Sequence, residues 1–224
     1  IFAYHESLET NKNASNNLKK QEGSYTDIFL DYAITYDKRN QAYQATDGFR
    51  SSFSQKLPVY SQNYAIVNGY TFSSYHKLAK EMTGTFSLYT RAVNALSDED
   101  VRVSERLQVP ANKLRGFQRG KIGPYDNGYV GGNYVTALNL STNLPTVLPT
   151  LENIDFNFFF DAANVWGVDY SSQINNSNAI RTSTGVGIDW FTPIGPLSFS
   201  LAQPLTFKDS DKTETFRFSL GTTF

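Results

Sequence analysis

Apolar and polar residues alternate one for one along most of this chain. From Phe216 to Phe224, an extended backbone puts Phe216, Phe218, Leu220, Thr222 and Phe224 on one face and Arg217, Ser219, Gly221 and Thr223 on the other. Leu197, Phe199 and Leu201 alternate in the same way with Ser198, Ser200 and Ala202, and Thr184, Val186, Ile188 and Trp190 with Gly185, Gly187 and Asp189. Between 154 and 162, Ile154, Phe156, Phe158 and Phe160 oppose Asp155, Asn157, Phe159 and Asp161. Ile28, Leu30, Tyr32, Ile34 and Tyr36 oppose Phe29, Asp31, Ala33 and Thr35. A period of two is the signature of β-strands with unlike faces. Looser versions cover 49–57, 64–75, 85–91 and 133–142, and with a short first segment at Phe2 and Tyr4 the pattern predicts ten strands. Strands of about 10 residues, rising roughly 3.4 Å each and tilted near 45°, cross an apolar layer of about 25 Å.

The connections alternate in length. Long polar links fall at Ser7 to Ser24, Ser97 to Val130, Asp169 to Asn178 and Lys208 to Thr213, whereas the link Pro193 to Pro196 is tight. Long loops on one rim and short turns on the other are the habit of outer-membrane barrels. Two links depart from it: Leu57 to Tyr60 is short for an external loop, and Asp37 to Asp47 is long for a periplasmic turn. Alternation alone does not say which face points outward, so a soluble sandwich or lipocalin-like barrel gives the same pattern. The polar face favours the membrane. Arg91, Asp155, Asp161, Arg181, Asp189 and Arg217 suit a hydrated lumen and would be costly in a small packed core. The expected fold is therefore all-β: an antiparallel transmembrane β-barrel of the bacterial outer membrane.

Composition adds exclusions. Mean hydropathy is -0.40, and no apolar run reaches the roughly 18 residues of a membrane-spanning helix. Aromatic residues make up 15% of the 224, a share suited to interfacial girdles. A formal net charge of -1 with no basic run argues against nucleic acid as a partner. With no cysteine there is no disulfide, thiol nucleophile or thiolate metal site. His5 and His76 lack ligand-spaced neighbours, Asp209 and Asp211 read as a solvated turn, and no phosphate loop or nucleophile elbow appears. The expectation is a protein that is not an enzyme and takes neither cofactor nor metal. Ile1 opens within a strand pattern, so a longer parent is expected.

Four stretches sharpen this: Lys113-Leu114-Arg115-Gly116-Phe117, Gly131-Gly132-Asn133, the run Phe158 to Trp166, and Gly195 to Pro204. They resemble the BamA family of outer-membrane assembly factors, and the resemblance extends over residues 1–224, most strongly from Lys113 onward. It implies that the chain is the C-terminal part of one barrel domain of about sixteen strands. It implies too that the link at about 97–130 enters the lumen with Arg115, Gly116 and Phe117 at its tip. Asp161 sits where the family faces that arginine with an acid, and a guanidinium and a carboxylate make a bidentate pair. A second family carboxylate position corresponds to Ser141, so the pair is expected to rest on Asp161 alone. The last strand, with Phe216, Phe218, Leu220, Gly221 and Phe224, resembles a terminal β-signal. Gly221 is expected to loosen a seam that opens beside it. The implied function is folding and insertion of other barrels. Outer-membrane lipids, client β-barrel proteins and accessory lipoproteins reached through upstream domains are the implied partners. A related secretion pore and a small passive porin of about ten strands are the alternatives.

Overall fold

A computed structural model of the chain describes residues 1–42, 44–144, 153–171, 173–174, 179–192 and 195–220. Ten strands follow one another as an antiparallel meander: β1 (Phe2–Leu8), β2 (Gly23–Asp37), β3 (Gly48–Tyr60), β4 (Ala65–Ala79), β5 (Met82–Ala95), β6 (Tyr134–Asn143), β7 (Ile154–Trp166), β8 (Arg181–Thr192), β9 (Gly195–Thr206) and β10 (Phe216–Leu220). Each pairs with its neighbours in sequence, and among the described residues no ladder joins β1 to β10. Among the described residues helix is confined to one turn at Asn16–Lys19, capped by the Ser15 side chain, and a 3-10 turn at Ala111–Lys113.

The ladders place the alternating residues in rows. Val186, Leu201 and Phe216 lie side by side, as do Ile188, Phe199 and Phe218, and Trp190, Leu197 and Leu220. These rows and Leu30, Tyr32, Ile34, Phe53, Tyr70, Leu140 and Phe158 leave large apolar side chains exposed on one face. The other face carries Asp31, Lys56, Arg91, Asp161, Asp189 and Arg217, and the long link 96–133 folds against it. An exposed greasy face opposite a covered polar one is the inverse of a soluble sandwich. A space of about 490 Å³ beside the loop, lined by Asp31, Ser54, Lys56, Arg91 and Glu105, belongs to this inner face.

Two expectations change. Several strands are longer than 10 residues, with β2 and β4 at 15 each, because the pattern carries past the apolar band into polar rims. The link expected at Leu57 to Tyr60 is strand; the turn between β3 and β4 is 61–64 instead. Pro58 is the reason for the difference. It has no N–H for a ladder, yet the register slips between Ile28 and Phe29, and a bulge there lets proline stay within β3. The tight link between β8 and β9 consists of 193–194, which lie outside the described residues, as does part of the link from β7 to β8.

The faces predict opposite responses to one charge. Val186→Lys, at mid-strand on the greasy face, is expected to cost about 2–4 kcal/mol in urea unfolding of the vesicle-inserted protein. Ser54→Lys, beside the inner space, should stay within about 1 kcal/mol of wild type in the same titration.

Candidate functional site

The link from β5 to β6 has a packed interior of its own. Val109, Leu114, Phe117 and Ile122 from the loop close over Val135 and Ala137 of β6 and Ala163 and Val165 of β7, forming one buried cluster. The polar face of β7 is thus divided. Its later half, Ala163 and Val165, offers small apolar side chains to the loop, while Asp161 stands at the edge of that patch, itself 0% exposed. A buried carboxylate needs donors, and the loop brings them.

Arg115 meets Asp161 in a fork. Its Nε donates to Oδ2 at 2.8 Å, its Nη2 donates to Oδ1 at 2.8 Å, and its backbone N–H donates to Oδ2 at 3.0 Å. A fourth donor, Asn139 Nδ2 of β6, reaches Oδ1 at 2.8 Å and also the Lys113 carbonyl at 2.9 Å. Among the described residues Asp161 is the one carboxylate paired with Arg115. Asn139 lies directly opposite Asp161 in the ladder, whereas Ser141 lies opposite Phe159, two residues further along β6.

The guanidinium also stacks on the Phe159 ring, its Cζ 3.4 Å from the ring centroid. Gly185 makes that ring position available, since a Cβ there would come within 2.7 Å of Phe159 Cζ and 2.0 Å of the Leu201 carbonyl oxygen. At the tip, Gly116 has φ +88, and a Cβ on it would press at 3.3 Å against both Ser183 and Ala202. Ser183 Oγ donates to the Arg115 carbonyl at 2.5 Å, so β7, β8 and β9 all touch the tip. Phe117 is 2% exposed and bridges to Thr213 in the link between β9 and β10. Burial holds the Lys113 ammonium below its ordinary pKa, with Asp161 opposing that shift and Arg115 adding to it.

In the last strand, Phe216, Phe218 and Leu220 point to the exposed apolar face, away from the loop. Arg217 points inward, donates to the carbonyls of Ala111 and Phe117, and pairs with Glu214 at 2.5 Å. Gly221 and Phe224 lie outside the described residues. Alternation places Arg217 on the polar face but supplies no partner for it. It does not single out Asn139, Phe159 or Ser183 as site residues. Their one signal is a shared face with Asp161, and strand register is needed to turn it into contact.

A family model described as the Omp85 superfamily domain matches residues 3–224. The chain belongs to the Omp85 superfamily. This Omp85 chain is 30% identical over 150 residues to the outer membrane protein assembly factor BamA of Neorickettsia risticii, covering 64% of this chain and 20% of that relative. To the factor of the same name from Neisseria meningitidis serogroup B it is 31% identical over 142 residues, 50% of this chain and 17% of the relative. The curated relatives it matches are thus several times longer than the stretch they share with it. Among solved structures it is similar to the crystal structure of BamA from Haemophilus ducreyi lacking POTRA domains 1-3. That match has a TM-score of 0.78 at 27% identity and covers 87% of this chain and 42% of the other. The ten strands are part of an outer-membrane β-barrel wall, with the apolar face toward lipid and the loop packed on the opposite, polar face.

Asp161→Ala strands Arg115 and Asn139 together, and is expected to lower stability by about 3–5 kcal/mol in urea unfolding of the inserted protein. Gly116→Ala should cost about 1–3 kcal/mol by the same measurement, through its positive φ and the Ser183 and Ala202 contacts.

Proposed function

We propose that this chain supplies barrel wall and internal loop to an outer-membrane assembly factor that folds and inserts other β-barrel proteins without covalent chemistry. The observation that carries this reading is the seating of the Arg115 tip against β7, β8 and β9, in a chain whose curated relatives are named as assembly factors. A loop fixed at the lumen wall keeps the barrel from being a simple open tube and stiffens β6 to β10. The work then falls to strand edges. A strand edge exposed when a barrel wall opens is a template for an incoming strand. Client barrel strands and membrane lipids are the partners of such an edge. Accessory lipoproteins would act through parts of the parent protein beyond the shared stretch.

The secretion pore is the nearest alternative, since it would keep the same loop motif and export a soluble partner through the lumen. The passive porin is disfavoured because the loop occupies the inner face of β5 to β10.

The test is client folding into vesicles carrying the full-length protein, followed by the change in gel mobility on barrel formation. Wild type should accelerate folding, and Arg115→Ala should reduce the acceleration about tenfold, equivalent to about 1.4 kcal/mol in the barrier. Client folding no faster than in empty vesicles, together with a large steady single-channel conductance, would overturn the reading in favour of a pore.

A further inference from the structure

The loop is fastened at a second place, more than a dozen residues before the Arg115 tip and on other strands. Arg102 is 1% exposed, and its guanidinium lies among three carboxylates. Nη2 donates to Asp27 Oδ2 of β2 at 2.5 Å and lies 3.5 Å from Glu105 Oε1; Nη1 lies 3.1 Å from Glu6 Oε1 of β1. The Tyr25 ring of β2 covers the group, its centroid 4.4 Å from Cζ. Asp27 is held from its other side by Ser61 Oγ at 2.5 Å, and Lys56 of β3 approaches Glu105 at 3.6 Å.

The neighbouring backbone is tied to the same region. Val103 N–H donates to Gln21 Oε1 at 2.8 Å, Ser104 Oγ donates to Glu6 Oε1 at 2.8 Å, and Asn63 Nδ2 donates to the Asp100 carbonyl at 2.8 Å. None of these groups touches the Arg115 site, whose partners come from β6 to β9.

We propose that Arg102 is a positioning residue that fastens the first half of the loop to β1 and β2, so that the loop braces these two strands against β6 to β9. The site is built for a cation delivered by the loop. Without Arg102, the buried Asp27 and Glu105 and the partly exposed Glu6 face one another with Lys56 as their remaining cation, and like charges so placed repel. Burial already pushes the Glu105 carboxyl above its ordinary pKa against the pull of Arg102 and Lys56, as expected of a crowded acidic site. The two fastenings share no partner, so their contributions add, whereas Arg102 and Asp27 are coupled.

Hydrogen exchange of the full-length protein in lipid nanodiscs, followed on peptides covering 98–106 and 113–121, separates the fastenings without any client present. A failed assembly reading therefore does not touch the result. Arg102→Ala should speed exchange at 98–106 on the order of a hundredfold and leave 113–121 protected, while Arg115→Ala should do the reverse. Asp27→Asn, an isosteric change that removes only the charge facing Arg102, should loosen the same 98–106 segment. Combined with Arg102→Ala it should loosen that segment by less than the two separate effects together. Arg102→Lys, which keeps the charge, should recover part of the protection. Unchanged exchange at 98–106, equal loosening of both segments by either arginine variant, or Arg102→Lys no better protected than Arg102→Ala would overturn the proposal.

Discussion

A sheet that turns its apolar side chains toward lipid leaves its charged ones on the inside, and each charge there must find a counterpart or water. In this chain the constraint is met by folding a loop into the space. Asp161 is fully buried because Arg115 and Asn139 supply four hydrogen bonds to its two oxygens. Remove those donors and the buried carboxylate is left without partners, a costly arrangement. The small apolar residues beside it, Ala163 and Val165, make the same wall hospitable to Phe117 and Leu114. One strand thus presents a salt-bridge socket and a hydrophobic floor within a few residues, and the loop reads both.

The backbone contribution is as specific as the charge. Arg115 lies flat on Phe159, Phe159 lies where a side chain on Gly185 would otherwise stand, and Gly116 turns in a space closed by Ser183 and Ala202. Sequence positions far apart therefore fix one another: a glycine in β8 sets the height of a ring in β7, which sets the plane of a guanidinium in the loop. Larger side chains at either glycine would lift the tip off the wall without altering any charge.

Much of this is legible in alternation. Which residues share a face follows from parity, so the order of residues alone puts Val186, Leu201 and Leu220 on the apolar faces of their strands and Asp161 and Arg217 on the polar ones. Pairing Arg115 with Asp161 needs the resemblance of the surrounding motifs, because an arginine in a loop has no parity. What stays hidden depends on register. Asn139 and Ser183 become site residues only once the ladders set them opposite Asp161, and Arg102 reaches Asp27 across 75 positions with no local pattern to mark it. Pro58 misleads in the opposite sense, since a proline that sits at a bulge looks, in a string of residues, like the end of a strand.

The position of the loop in the chain also sets an order of events. It is made between β5 and β6, yet its fastenings include Asp27, 75 residues before Arg102, and Arg217, 100 residues after Phe117. Contacts so distant in sequence are slow to form, because long segments must be closed before they contribute. The tip cannot settle until β7 to β9 offer their surface, and Arg217 closes over it only when β10 arrives. The loop thus keeps time for the chain: its docking marks the moment at which the later strands of the wall are in place.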